Sequence, residues 1–311
     1  MKDRRLLTAA LLLPLTVLLL FAALACGAAS AGAAGAQPQV HDITFETCVG
    51  ATTEAALSAQ DADGDVVLFQ LTERPRLGTA EIEDDRIIYT PGARTGKDEF
   101  SYTAVDVEGN TAAPAKITVR IGKNKAGLTY SDMEGDPAHY AALCLAARGV
   151  MQGERIGDCA FFRPSQTVTR SEFIAMAASA TQLKVKPTDR TDFADDSGQS
   201  AWAKPYISAA AADGLVCGYK TAGTLNEIRG QNPITLAEAS VITANLLSDT
   251  EGVSEVMAAE HEETADWAQK AVSAMARAEI LDESMVSGSA SAPLTRRMAC
   301  EMLYRVIERL K

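Results

Sequence analysis

The sequence predicts two structural classes in one chain, an all-β sandwich followed by an all-α array of helical repeats. Three observations lead to this prediction. From about Val40 to Ile121, apolar and polar residues alternate in short runs, as in half-buried strands. After the polar stretch at 122–125, alanine-rich segments carry Leu, Ile and Met at helical spacing. These segments share short motifs that recur three times, which indicates a repeat array.

The start of the chain has the composition of an export signal. Basic residues precede an apolar run at 6–25, and small residues with an Ala-Ser-Ala site at 29–31 follow it. This order predicts a signal peptide over 1–36 that is cleaved on secretion. A retained membrane anchor and lipidation at Cys26 are the alternatives that the sequence leaves open.

Charge and motif content exclude several function classes. The formal net charge is −12 at pH 7, which disfavours binding to nucleic acid or to an anionic membrane. The chain has no G-x-S-x-G or H-E-x-x-H motif, and its histidines, His41, His139 and His261, are scattered. We therefore expect that the protein is not an enzyme.

The cysteines do not form a metal-binding pattern. Five follow the predicted signal peptide without a C-x-x-C pair: Cys48, Cys144, Cys159, Cys217 and Cys300. This spacing disfavours a zinc site. A Cys144–Cys159 disulfide and buried free thiols are equal alternatives, because an odd number of cysteines remains in an exported chain.

The all-β part is predicted at 37–122. Turn residues at 63–64, 91–92 and 109–110 separate the apolar runs, and they supply the backbone angles that tight turns need. The predicted strands are Val66–Leu71, Arg86–Thr90, Phe100–Val105 and Lys116–Ile121. Strands of this length and spacing favour an Ig-like β-sandwich.

The all-α part follows a linker at 123–127 and divides into repeats at 128–187, 188–250 and 251–311. Each repeat is predicted to contain a helix of small residues, a turn of the kind that glycine favours, and a second helix that begins after threonine. Thr-x-x-Glu is a capping box, in which the two side chains satisfy free amides of the first helical turn. Thr169 with Glu172 and Thr235 with Glu238 fit this pattern, whereas Thr295 is followed by Met298 and keeps half of it.

Several motifs recur in the same order. They are Tyr130-Ser131-Asp132, Gly149-Val150-Met151-Gln152-Gly153 and Phe162-Arg163-Pro164 in the first repeat, Phe193-Ala194-Asp195, Ala201-Trp202-Ala203 and Gly214-Leu215-Val216-Cys217-Gly218-Tyr219 in the second, and Asp266-Trp267-Ala268 and Pro293-Leu294 in the third. This set resembles the S-layer homology (SLH) domain. The resemblance implies an all-α pseudo-trimer with a three-helix-bundle core, whose grooves bind secondary cell-wall polysaccharide, often pyruvylated.

The same resemblance implies a set of ligand-binding residues. A guanidinium holds a sugar carboxylate at two points, an aromatic ring packs on a sugar face, and a carboxylate accepts hydroxyls or orders the groove. The candidates are Asp132, Tyr140 (at the position of the family's Trp), Arg170, Glu172, Asp195, Trp202, Glu238, Trp267 and Arg296.

Each candidate also has a purely structural interpretation. The tryptophans can be core residues, the glutamates are more readily caps than ligands, and the aspartates can cap the helices that follow them. Leu236 stands where the family has arginine, and the third repeat departs furthest from the pattern. We therefore expect the grooves to differ in binding. The groove around Arg170 is the strongest candidate for binding, and the groove around Arg296 is the second strongest.

The N-terminal part resembles the bacterial cadherin-like and Ig-like modules of surface proteins, through Asp61-Ala62-Asp63-Gly64-Asp65, Tyr89-Thr90-Pro91 and the segment at 96–110. Closely spaced aspartates can bind Ca²⁺. The candidate ligands are Asp61, Asp63, Asp65 and Asp106, and the alternative is that they only form turns.

Together these features predict a non-catalytic secreted surface protein. SLH repeats would anchor it to the bacterial cell wall and display the Ig-like domain. The alternatives are a calcium-dependent adhesin and an accessory subunit of a wall-associated hydrolase. The sequence does not name the partner of the Ig-like domain.

Overall fold

The computed structural model describes residues 35–62, 64, 66–248 and 267–311. Residues 1–34 of the predicted signal peptide lie outside this part. Strands come first and helices follow, which confirms the predicted order of the two classes. None of the described helices has both the length and the apolar character that crossing a bilayer requires.

The described N-terminal part forms a sandwich of two sheets. One has the strand order β2-β9-β8-β5, the other has the order β3-β7-β6, and β1 pairs with β4. The β2–β9 pair is parallel, and the other pairs are antiparallel. The bounds are β1 Gln39–Val40, β2 Ile43–Cys48, β3 Thr53–Ala56, β4 Ala59–Gln60, β5 Val66–Leu71, β6 Gly78–Glu83, β7 Arg86–Pro91, β8 Gly96–Asp106 and β9 Ala115–Gly122.

Alternating apolar residues of both sheets make the core of this sandwich. Phe100 of β8 lies opposite Ile117 of β9 and stacks on Tyr89 of β7, with 6.0 Å between the ring centroids. The buried Asp98 carboxylate accepts hydrogen bonds from Tyr89 Oη at 2.8 Å and from the Leu77 amide at 2.7 Å. All four predicted strands are present, and β8 extends beyond its predicted bounds at both ends.

Helices dominate the second half. They are α1 His139–Ala147, α2 Arg170–Ala180, α3 Lys204–Ala212, α4 Leu236–Leu246, α5 Trp267–Arg277, α6 Glu283–Val286 and α7 Arg296–Arg309. A hairpin of β10 (Glu154–Ile156) and β11 (Cys159–Phe161) lies between α1 and α2. The sequence pattern does not predict this hairpin, because three-residue strands are too short to show alternation.

The threonine caps form as predicted. Thr169 Oγ1 accepts from the Glu172 amide at 3.3 Å, and Glu172 Oε2 accepts from the Thr169 amide at 2.8 Å. Thr235 and Glu238 make the same reciprocal pair before α4. Thr295 accepts from the Met298 amide but has no glutamate to complete the box. Local sequence therefore fixes where these three helices begin.

The segments that precede these helices are bonded in a closed ring. The Val168 amide donates to Leu294 O at 3.0 Å, the Ile234 amide to Val168 O at 2.9 Å, and the Leu294 amide to Ile234 O at 2.8 Å. Two residues further along each segment, the amides of Arg170, Leu236 and Arg296 donate to the carbonyls of Asn232, Ala292 and Gln166, respectively. At each helix start, a carbonyl of the neighbouring repeat thus accepts from a backbone amide. These hydrogen bonds link the three repeats, whose helix pairs are α1/α2, α3/α4 and α5/α7, into a ring.

A turn with positive φ ends the first helix of each pair. Gly149 has φ 69° and Gly214 has φ 76°, whereas the third pair uses Glu279 at φ 57°. A side chain is strained in this region and glycine is not.

We expect Glu279→Gly to raise the free energy of unfolding by about 0.5–1 kcal/mol, because it removes this strain. Urea unfolding measures the change. The reverse replacement, Gly214→Glu, serves as the control and should lower stability by a similar amount. A destabilised Glu279→Gly protein would contradict the assignment of strain.

Candidate functional site

A groove of about 260 Å³ lies between the helix pairs. We call it the first groove. Its walls are the α1–α2 connection, a partly buried face of α2, the start of α3 and the start of α7. The residues that line it include Gln152, Glu172, Met176, Trp202, Tyr206 and Arg296.

Arg296 is held at one wall of the first groove. Its Nε donates to Phe162 O at 2.7 Å, and its Nη2 donates to Gln152 O at 2.8 Å. The guanidinium also lies 4.9 Å from the centre of the Phe162 ring. Burial lowers the pKa of Arg296 and the Glu172 carboxylate opposes this effect, yet an arginine remains charged. The groove therefore carries an oriented cation.

Trp202 supplies an aromatic surface to the same groove. It lies two residues before the start of α3, and it is 51% exposed. This exposure argues against the alternative that Trp202 is a core residue. An exposed indole close to a fixed cation presents a flat apolar face and an N–H donor, which together suit an acidic sugar.

Arg170 is much less accessible than its predicted role requires. It is 8% exposed, and its guanidinium lies 5.1 Å from the Tyr219 ring centre and 3.9 Å from Glu238 Oε1. Arg229 packs on the same ring at 4.5 Å. Burial lowers the pKa of Arg170. Arg170 thus joins α2 to the α3–α4 connection. The side chain of Trp267, another predicted glycan contact, lies outside the part that the structure describes.

Asp132 and Asp195 order loops. The Asp132 carboxylate accepts from the amides of Phe162 and Arg163 at 2.7 and 2.8 Å. Asp195 accepts from the amides of Ile228 and Arg229 at 2.9 and 2.8 Å. Neither side chain caps the helix that follows it, α1 or α3, so that alternative was wrong. Both carboxylates therefore hold loop backbone, and contact with a sugar stays a prediction.

Tyr140 does not take the position of the family's tryptophan. Helix α3 begins two residues after Trp202, and α1 begins two residues after Pro137. Both helices have nine residues and reach their glycine turn at the same distance. Pro137 therefore corresponds to Trp202, and the predicted alignment was wrong by three residues. Tyr140 lies inside α1, and its ring meets Tyr304 edge to face at 5.9 Å.

The sandwich covers the face of α7 that corresponds to the groove-lining face of α2, and we call the groove at this face the third groove. Glu301 and Arg305 follow Thr295 by six and ten residues, the spacing at which Ala175 and Ser179 follow Thr169 in the first groove. Around them lies a cavity of about 610 Å³ that strand β3 and the β6–β7 turn line from the other side. The Tyr140 amide donates to Thr52 O at 3.2 Å across this contact. Sequence reasoning missed this arrangement, because nothing local in β3 indicates that it packs on helices.

Charged side chains line the covered groove and its edge. Arg305 Nη2 lies 3.0 Å from Asp282 Oδ2 and 3.9 Å from Glu54 Oε1 of the sandwich, and Arg297 Nε lies 3.3 Å from Glu301 Oε1. Glu301 is 8% exposed, and burial raises its pKa to about 7. The two arginines oppose this rise, and the carboxylates of Glu54 and Asp282 add to it.

We expect the contribution of Glu301 to stability to fall as the pH rises from about 5 to about 7. In this range folded Glu301 keeps a proton that the unfolded chain has released, so the folded state binds more protons. Glu301→Gln should remove this fall and should raise the free energy of unfolding at pH 8 by about 2 kcal/mol. Urea unfolding at both pH values tests it, with the exposed Glu308→Gln on the same helix as the control. An unchanged pH dependence in Glu301→Gln would contradict the assignment.

The calcium candidates are only partly described, since Asp63 and Asp65 lie outside the described residues. Asp106 accepts from the amide and side chain of Asn110 and closes the turn after β8. Within the described ranges, no three His, Cys, Asp or Glu side chains are grouped as a metal site. Calcium binding stays a prediction.

The five described cysteines are free thiols. Cys144 is half-buried and Cys159 is exposed, so the pair is neither a disulfide nor two buried thiols. Burial raises the pKa of Cys48 to about 11 and also raises the pKa of Cys144. These two thiols therefore stay protonated at neutral pH.

Comparison with known proteins supports the domain assignments of both the N-terminal and the helical part of the chain. A family model of the bacterial Ig domain matches residues 36–120, and one of the S-layer homology domain matches residues 192–240. A surface-layer 125 kDa protein of Lysinibacillus sphaericus is 26% identical over 130 residues, which cover 42% of this chain and 11% of that protein. The chain thus spans a small part of this relative. The predicted Ig domain and one SLH unit, the second, are confirmed.

Solved structures match only short parts of the chain. An endo-fucoidan hydrolase of glycoside hydrolase family 107 is 18% identical, with 29% of this chain and 14% of that chain covered and a TM-score of 0.24. An adhesin from Streptococcus sanguinis is 12% identical, with 30% and 66% covered and a TM-score of 0.24. The sandwich assignment therefore depends on the family model and the strand pairing.

Proposed function

We propose that the chain is a secreted, non-catalytic cell-surface protein held on the bacterial cell wall by three SLH units. The family match to the second unit and the similarity to a surface-layer protein support this. The first and third units lie outside that match. Their threonine caps and the ring of hydrogen bonds through Val168, Ile234 and Leu294 support counting them as units of one pseudo-threefold domain.

The first groove is the site that we assign to the wall polymer. The observation that carries this choice is the exposed Trp202 beside the oriented guanidinium of Arg296. The guanidinium would pair with a carboxylate, such as that of a pyruvylated sugar in the secondary polysaccharide, and the indole would pack on the ring.

The three grooves would then differ in their ability to bind glycan, and their ranking differs from the one that the sequence predicts. Arg170 is buried against Tyr219, and the third groove is covered by the sandwich. We therefore rank the groove of Arg296 above that of Arg170, and we assign no glycan to the third. The sandwich would be held in a fixed orientation on the anchor.

Sedimentation with purified walls tests the proposed function. The chain from residue 37 to 311 is mixed with walls before and after hydrofluoric acid removes their secondary polysaccharide. We expect most of the protein in the pellet with intact walls and in the supernatant with stripped walls. Equal retention on both would rule out the polysaccharide as the partner.

A further inference from the structure

A second cleft lies at the seam between the sandwich and the helices, on the side of β2 and β9. We call it the seam cleft. It has a volume of about 570 Å³, within the usual range for small-ligand sites. Its floor is apolar, with Cys48, Ile121 and Leu143 buried and Cys144 half-buried. No residue of the first groove lines it.

Cations surround this cleft. Arg120, Lys123 and Lys125 come from the end of β9 and the chain after it, Arg148 follows α1, and Lys311 follows α7. The chain as a whole has 29 basic and 41 acidic residues, so such a cluster runs against its average. The cleft also contains two carboxylates, those of Glu46 and Glu308.

Four of these cations have no partner within the part of the chain that the structure describes. Lys311 pairs with Glu308 at 2.6 Å. The side chains of Arg120, Lys123, Lys125 and Arg148 make neither an ion pair nor a hydrogen bond with another described residue. Like charges that converge on a cleft with apolar walls repel one another and concentrate anions there.

We propose that the seam cleft binds an anionic saccharide, a sugar that carries phosphate or carboxylate. The four unpaired cations would hold the acid group, and the apolar floor with Tyr140 would lie against the sugar ring. The size of the cleft and the net charge of the chain disfavour an extended polyanion such as nucleic acid. This site is independent of the first groove, so the protein would contact acidic glycan at two separate places.

Titration of the chain from residue 37 to 311 with glucose 1-phosphate, inorganic phosphate and glucose tests the proposal, with binding followed by NMR shifts or calorimetry. We expect glucose 1-phosphate to bind several-fold more tightly than inorganic phosphate, and glucose not to bind. Replacing Arg120, Lys123, Lys125 and Arg148 by Gln together should weaken binding of the sugar phosphate at least about tenfold. These residues are exposed, so the melting temperature should change little.

A matched control removes the same charge elsewhere. Arg74, Arg94, Lys184 and Lys186 are two arginines and two lysines outside the cleft, and their joint replacement by Gln should leave binding unchanged. Equal losses in both variants, equal affinity for phosphate and sugar phosphate, or no binding of the sugar phosphate would each overturn the proposal. The cleft variant should still sediment with intact walls, so this result is separate from that of the wall-binding test.

Discussion

Replacing Trp202 by Ala, or Arg296 by Gln, should release the protein from intact cell walls. Each change removes one of the two features that make the first groove suitable for an acidic sugar: the exposed ring, and the guanidinium that Phe162 O and Gln152 O orient. Loss of such a contact costs about 1.5–3 kcal/mol, so the dissociation constant should rise at least about tenfold for each variant. Sedimentation with increasing amounts of wall measures it.

Two controls separate groove binding from general surface effects. Val107→Ala truncates an apolar residue that is 64% exposed, and Arg74→Gln removes an exposed cation; both lie on the sandwich. Both should bind walls as the parent protein does. Should the groove variants also retain full affinity, Trp202 and Arg296 are not the contact and the first groove is not the site.

Leu294→Ala should cause the largest loss of stability in the helical half. Leu294 is fully buried, and its amide and carbonyl both belong to the ring that joins the three helix pairs. Truncating a buried leucine usually costs about 2–5 kcal/mol. Because the three pairs share this core, helical signal from all of them should be lost in one earlier transition, which circular dichroism in urea can follow.

Leu225→Ala is the matched control for this prediction. Leu225 is 51% exposed, so the same truncation should change the free energy of unfolding by less than about 0.5 kcal/mol. A Leu294→Ala protein that loses only one third of its helical signal, or one as stable as Leu225→Ala, would contradict a shared core.

Local patterns predicted the elements well. The capping boxes at Thr169 and Thr235 are confirmed because both partners lie within four residues of each other. The sandwich strands are confirmed because alternation over five or six residues reports directly on one buried face. The hairpin at 154–161 escaped notice because its strands are too short to carry such a pattern.

Contacts between residues far apart in the sequence determine which grooves are open, and local sequence patterns do not predict such contacts. Arg170 and Arg296 occupy the same position after threonine, yet one is buried on Tyr219 and the other lines a groove. The covering of the third groove depends on β3, which lies far from α7 in the chain. The alignment of Tyr140 with Trp202 was wrong because it depended on the aromatic residue type. Helix length and the position of the glycine turn align Pro137 with Trp202 instead.

Fluorescence of Trp202 gives the most direct test of the first groove. The chain has two tryptophans, so Trp267→Phe leaves Trp202 as the only indole. Polysaccharide released from walls by hydrofluoric acid is then titrated into this protein. We predict a saturable change in emission that Arg296→Gln abolishes. Unchanged emission while the same protein binds the polysaccharide would place the contact elsewhere and contradict the account.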